Sequence, residues 1–166
     1  MMGIRVRAAT RRDVKAIVAM CDSLNAHSGL PTGRLDARQF RAALFGSRSF
    51  LFADVAEATG RGRRGATRSV GYALSHDSFT TDFGERGVYM VDLYVEAGWR
   101  RAGVGKKLMA AVAARAARRG ATHIWWSSMP GNSPARRFYA SLGAVDEPIR
   151  SHALFGKPFE KLAESG

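Results

Sequence analysis

Residues 90–108 read MVDLYVEAGWRRAGVGKKL, and the pattern changes period halfway along. GVYMVDLYV (87–95) is the most apolar stretch of the chain, as expected of a central strand covered on both faces. Beyond it, Val104, Leu108, Val112 and Ala116 recur at steps of four, the stripe of a helix that ends near Gly120. The turn between strand and helix is Arg100-Arg101-Ala102-Gly103-Val104-Gly105-Lys106. Its small residues let backbone N–H groups approach a ligand closely, and the first helical turn leaves N–H groups unpaired at the positive end of the dipole. Such a turn, just past the carboxyl end of a strand, predicts a phosphate-bearing ligand.

Two common phosphate loops do not fit. Gly98 and Gly103 have the spacing of a P-loop, but Val104 stands where its lysine should be. Gly103 and Gly105 match the start of a dinucleotide fingerprint, but Leu108 replaces its third glycine.

Upstream, IRVRA (4–8) reads as a short strand. Thr10 and Asp13 mark a helix start, and Val14, Ile17, Val18 and Cys21 give that helix one apolar face to about Asn25. A second helix is expected from Asp36 to Phe45. SFLFADVAE (49–57) and SVGYALSHDSF (69–79) read as antiparallel strands joined by the arginine-rich connection 60–68. Downstream, HIWWSS (123–128) is a strand whose Trp125 and Trp126 alternate in face, which predicts that at least one is core. Ser133 and Pro134 open a helix that Gly143 closes, and a last strand is expected to include His152 to Phe155. The fold expected is α/β: one domain over 1–166, with a mixed, mostly antiparallel sheet, helices on both faces, and a parallel β-α-β crossover in the second half.

The 166 residues suit one domain with a proper core. No apolar run reaches the ~18 residues of a membrane span. The N-terminus MMGIRVRAAT lacks a signal-peptide core, and a lone cysteine leaves no internal disulfide framework, so a reducing cytoplasm is the expected compartment. The net charge is +12, carried by 21 arginines and 5 lysines. Basicity alone is weak evidence for nucleic acid, and none is expected as a partner. The charge is segregated, however. Residues 97–145 hold nine basic residues and no acid, whereas 77–96 hold Asp77, Asp82, Glu85, Asp92 and Glu96 against Arg86. A basic half beside an acidic strip suits one anionic and one cationic ligand, and chance clustering on solvated faces is the bland alternative. The four histidines lack metal-ligand spacing, and no metal is expected.

The turn at 100–105 resembles the Arg/Gln-x-x-Gly-x-Gly/Ala signature of the Gcn5-related N-acetyltransferases. MVDLYV precedes it at that family's spacing. Asn132-Ser133-Pro134-Ala135-Arg136-Arg137-Phe138-Tyr139 with Leu142-Gly143-Ala144 resembles the family's second signature, in the right order. The resemblance covers about residues 4 to 155. It implies acetyl-CoA as co-substrate and a primary amine as acceptor. It implies that backbone groups of Leu93 and Val95 pair with the pantetheine amides. It also implies that Arg100, Arg101, Ala102, Gly103, Val104, Gly105 and Lys106 cradle the pyrophosphate. Asn132 would bind the pantetheine side or position the thioester, and Tyr139 would protonate the departing thiolate. A lysine-like amine must lose a proton at a cost of roughly 4–5 kcal/mol at neutral pH. Asp92 is the nearest carboxylate for that step, with Glu96, Asp82 and Glu85 as alternatives.

A finer resemblance is to the diamine and thialysine branch, where a homodimer is common. Asp92 matches that branch's central-strand aspartate, but Val91 replaces its glutamate. Trp-Ser-Ser-Met-Pro-Gly-Asn (126–132) departs from its Trp-x-Val-Leu-Asp-Trp-Asn. A small cationic amine is the acceptor expected. The rival readings are a protein lysine or N-terminal acetyltransferase, and a non-catalytic acyl-CoA or nucleic-acid binding module.

Overall fold

The computed structural model describes residues 3–59 and 67–166. Most of the arginine-rich connection expected at 60–68 lies outside the described residues. The elements are β1 (Ile4–Ala8), α1 (Val14–His27), α2 (Ala37–Phe45), β2 (Phe52–Thr59), β3 (Thr67–Thr80), β4 (Glu85–Val95), α3 (Val104–Arg118), β5 (His123–Trp125), α4 (Ser133–Ala140) and α5 (Lys157–Ala163). They fall into two compact units, Met1–Ser127 and Ser128–Gly166.

The first unit is built on a five-stranded sheet in the order β1-β2-β3-β4-β5. The first four strands are antiparallel neighbours, and β5 runs parallel to β4. A parallel neighbour cannot be reached by a tight turn, and α3 supplies the crossover. The stripe read from the sequence is what α3 buries: Val104, Leu108, Val112 and Ala116, against Ala56, Ala58, Val70, Ala73 and Val88. On the opposite face, α1 and α2 bury Ile17, Cys21, Phe40 and Leu44 against Val55, Tyr72 and Leu74. The sheet is thus mixed, with helices on both faces.

Two bulges decide which side chains face which layer. In β2–β3, Ala56 pairs with Gly71 and Glu57 with Ser69, so Val70 is the extra residue. In β3–β4, Leu74 pairs with Asp92 and Ser75 with Met90, so Val91 is the extra residue. An inserted residue reverses the alternation of side chains beyond it. Without the bulge at Val91, Tyr89 and Asp92 would lie on opposite faces. With it, both lie on the α1 face.

In the second unit, Asn132 caps α4 and Pro134 occupies its first turn. The strand expected at His152 to Phe155 is not formed. Within this unit no strand is available to pair with that segment, and an unpaired strand has no ladder to hold it. Gly156, at φ 62 and ψ −143, turns the chain, and Pro158 starts α5, an element not foreseen from the sequence. The tryptophan expectation also fails. Trp125 is 38% exposed, Trp126 is half-buried, and Ile124 is the β5 side chain that packs on the α3 core. With three residues, β5 is too short to place two tryptophans across a packed sheet. Among the described residues, no helix is long and apolar enough to cross a membrane.

Candidate active site

The carboxyl end of β4 opens away from β5. Their pairing covers Gly87, Val88 and Tyr89, so among the described residues Met90–Val95 has a sheet neighbour, β3, on one side alone. Backbone groups on the other edge are available to an extended ligand that adds as a strand. Leu93 and Val95 sit on this splayed segment with their side chains packed toward α3. One acceptor there is already engaged: Arg100 Nε donates to Val95 O at 3.0 Å.

A tight helical turn, Ala97–Trp99, then carries the chain into the expected anion loop. Gly103 is the N-cap of α3 in the left-handed conformation, φ 78 and ψ 1. Having no side chain, it supplies no capping oxygen, so the first N–H groups of a 15-residue helix remain open to an outside acceptor. Arg101 is the one non-glycine residue with positive φ (63°) among those described. The left-handed region costs an L-residue roughly 1–2 kcal/mol, and strain of this kind concentrates where backbone is shaped for a ligand. Ala102, Lys106 and Lys107 are exposed, Gly105 is half-buried and Val104 is fully packed. Lys107 Nζ donates to Ile4 O at 3.1 Å. The loop therefore offers helix N–H groups, a helix dipole and exposed cations to one anion. These residues fit a pyrophosphate.

Asp92 lies on the splayed segment, on the other face. Tyr72 Oη donates to its Oδ2 at 3.0 Å. Burial pushes the Asp92 carboxyl above the ordinary carboxylate range, and the Tyr72 hydrogen bond opposes that rise. Burial likewise raises the Tyr72 hydroxyl, which stays protonated as a donor. Burial pushes the Cys21 thiol beside them up to about 11, which makes it an inert part of the core. A half-buried carboxylate with an elevated pKa is suited to taking a proton from an ammonium.

Three other acids of the 77–96 strip are occupied elsewhere, and Asp82 lies in the turn between β3 and β4, at the opposite end of β4 from the splay. Asp77 pairs with Arg119 toward α3. Glu96 pairs with Arg68 at 2.7 Å. Glu85 Oε2 accepts from the Thr122 hydroxyl at 2.5 Å, at the far end of β4. The strip is not one anionic patch, and Asp92 is its member nearest the splay.

Asn132 and Tyr139 belong to the second unit. Asn132 Oδ1 accepts from Ala135 N at 3.2 Å, which leaves the side-chain NH2 to bond elsewhere. Tyr139 is half-buried against the Phe138 ring, with centroids 5.3 Å apart. Burial raises its hydroxyl pKa, so it remains a proton donor at neutral pH. Tyr72 was not anticipated as a site residue. Its signal was a phenol in an otherwise apolar strand, whose hydroxyl must find a partner once buried.

The chain from residue 18 to 144 matches the model of the acetyltransferase (GNAT) family. A thialysine N-epsilon-acetyltransferase from Sus scrofa is 29% identical over 98% of this chain and 99% of its own length. An L-ornithine N5-acetyltransferase from Arabidopsis thaliana is 31% identical over 45% of this chain and 32% of its own. Among solved structures, an integron cassette protein from the mobile metagenome of V. cholerae has a TM-score of 0.75 at 20% identity, covering 99% of both chains; that likeness concerns the fold. A strand splayed beside a glycine-capped helix, inside a sequence that matches the family over most of its length, leads to one conclusion: the chain belongs to the acetyltransferase (GNAT) family and is an acyl-CoA-dependent N-acetyltransferase.

Proposed function

We propose that the protein transfers the acetyl group of acetyl-CoA to a primary amine on a small cationic molecule, a diamine, polyamine or lysine-like compound. The observation that carries this reading is the half-buried Asp92 carboxyl, bonded to Tyr72, on the same splayed strand that leads into the Gly103-capped helix. The names of the thialysine and ornithine relatives, both acting on amino groups of small cations, support the acceptor class.

Acetyl-CoA supplies the activated acetyl group. N–H groups from Arg101 to Lys106 hold its pyrophosphate, with Arg100, Arg101 and Lys106 adding charge. Backbone groups of Leu93 and Val95 align the pantetheine arm along the open edge of β4, and Asn132 contributes a side-chain amide. Asp92 accepts the proton that the ammonium must lose. The amine nitrogen then bonds to the acetyl carbon, and the carbon–sulfur bond breaks. Tyr139 donates its proton to the sulfur that leaves, the nitrogen gives up its second proton to solvent as the amide forms, and solvent reprotonates Tyr139.

The test is thermal unfolding with and without acetyl-CoA, with Gly103→Glu as the control, followed by thiol release with diamines and lysine analogues. At about 100 times its dissociation constant the ligand adds about 2.7 kcal/mol to the native protein. The control, with a carboxylate in the anion site, shows no gain. Absence of a shift in the native protein, or thiol release that no amine accelerates, overturns the reading.

A further inference from the structure

The long β3–β4 hairpin runs beyond the region that α1 and α2 cover. On this face the buried side chains of β3 end at Leu74. The next row is His76, Tyr89 and Trp125, placed side by side by the pairing of His76 with Tyr89 and of Tyr89 with Trp125. Beyond it come Ser78, Gly87 and His123. Gly87 leaves a gap that the imidazole fills: a Cβ at Gly87 would lie 2.2 Å from His123 Nε2. Above these rows is an open recess of about 350 Å³, lined by Ser78, Phe79, Thr80, Thr81, Tyr89 and Trp125.

The aromatic rings of this recess are held at their polar edges. Trp125 Nε1 donates to Thr80 Oγ1 at 3.2 Å, and the same oxygen is 2.8 Å from His123 Nε2. The Tyr89 hydroxyl shares a 3.0 Å hydrogen bond with Ser127 Oγ. His123 stands perpendicular to the Trp125 ring at 5.9 Å, and Tyr89 leans on His76 at 5.5 Å. Rings fixed in this way present their faces without a further loss of rotamer freedom. An indole or phenol face attracts a cation through its quadrupole.

The charge around the recess selects the occupant. In a chain of net charge +12, none of the six lining residues is a cation. Arg86 and Arg119 line an adjoining cavity that shares Ser78 and Phe79 with the recess, and there Arg119 is paired with Asp77. Glu85, the first residue of β4, sits opposite Thr80, and its carboxylate, which accepts from the neutral Thr122 hydroxyl, keeps its charge and adds negative potential. The row of Tyr89 is two residues along β3 from the row of Asp92, about 7 Å. An extended chain of about four or five methylenes between two amines covers that span.

We infer that the recess formed by Tyr89, Trp125 and Thr80 binds the second, non-reacting ammonium of an acceptor whose first amine is acetylated at Asp92. The bulge at Val91 is what aligns the two positions on one face. The inference rests on the small-amine acetyltransferase reading above, and it adds the residues that set acceptor length and charge.

The test compares thiol release with 1,5-diaminopentane and with n-pentylamine, which lacks the second charge, in the native protein, Trp125→Leu and Trp125→Phe. The expected result is a native preference for the diamine that falls about three- to thirtyfold in Trp125→Leu, carried by KM, and is largely restored in Trp125→Phe. An unchanged preference in Trp125→Leu, or an equal loss in Leu and Phe variants, overturns the inference. Binding is followed separately by the tryptophan fluorescence of the native and Trp125→Leu proteins, titrated with 1,5-diaminopentane and with the uncharged 1,5-pentanediol. Diamine-specific binding lost in the variant, without any acetylation, would sink the catalytic reading and keep the recess. Acetylation with no diamine preference would do the reverse. Absence of diamine binding together with absence of acetylation sinks both.

Discussion

The Tyr72 hydroxyl and the Asp92 carboxylate meet at 3.0 Å across the β3–β4 ladder, beneath α1. Burial favours the neutral form of Asp92, while the phenol favours the charged one. Removing the phenol removes the opposing influence alone. Tyr72→Phe therefore raises the Asp92 pKa further, and the acidic limb of the kcat/KM profile moves to higher pH. The sign follows from the role: the base works when ionised, so activity is lost as pH falls through its pKa. Asp92→Asn lowers kcat by about 10²–10⁴ without abolishing the thermal shift from acetyl-CoA. An acidic limb that stays in place in Tyr72→Phe would show that Asp92 is not the titrating group.

Arg101 and Gly103 both hold left-handed positions, at φ 63 and φ 78, on either side of Ala102. A Cβ at Gly103 would meet nothing within 4 Å, so Gly103→Ala carries only the backbone cost, about 1 kcal/mol. At Arg101 the side chain itself carries the strain. Arg101→Gly relieves the strain, and although glycine adds freedom to the unfolded chain, the net effect raises Tm, by up to about 1 kcal/mol of stability. The same change weakens acetyl-CoA binding by removing a cation from the anion loop. Opposite movements of Tm and affinity are the expected outcome; a parallel loss of both would make Arg101 a structural residue.

Arg115 Nη2 lies 2.6 Å from Asp54 Oδ2, between α3 and the sheet, although that oxygen receives no aligned hydrogen bond. Burial raises the Asp54 pKa, and Arg115 opposes the rise. Arg115→Met leaves a buried carboxylate without its ion-pair partner and with only the more distant Arg118 to offset its charge, at a cost of about 3 kcal/mol near neutral pH. Because a raised acid pKa penalises ionisation, the variant loses stability as pH rises and regains part of it toward pH 5. The double variant Asp54→Asn, Arg115→Met returns most of the loss. Denaturant unfolding of the three proteins at pH 5 and pH 8 checks both statements.

The parts of the site that were legible in the sequence depend on local chemistry. The four-residue stripe of α3 and the glycines before it needed no knowledge of distant residues, and both stand where the period put them. Asp92 was legible as a carboxylate on the central strand, but its partner was not, because Tyr72 reaches it only through the register of a bulged ladder. The same bulge hides the alignment of Tyr89 with Asp92, since simple alternation puts residues three apart on opposite faces. The strand expected at 152–155 shows the converse limit. Apolar residues encode the capacity for a strand, and pairing requires a partner that the second unit does not contain.

Arg7 is the anchor that ties β1 to the start of α1. Its guanidinium donates to both oxygens of Asp13, at 2.8 and 2.9 Å, and also to Glu57. Asp13 in turn accepts from the Thr10 backbone N–H at 2.7 Å, closing the turn that leads into the helix. Arg7 and Thr10 together hold the Asp13 carboxyl at about 2, against an ordinary 3.8. A depressed acid contributes stability above the unfolded value and loses it as pH falls through the folded one. This single group is worth about 2 kcal/mol at neutral pH, lost between about pH 4 and pH 2. Arg7→Leu removes that contribution and leaves two carboxylates facing each other, for a total cost of about 3 kcal/mol at pH 7. The gap between native and variant stability then narrows on acidification, as Asp13 is protonated in both. Parallel stability curves from pH 7 down to pH 3 would show that the ion pair adds nothing to the folded state.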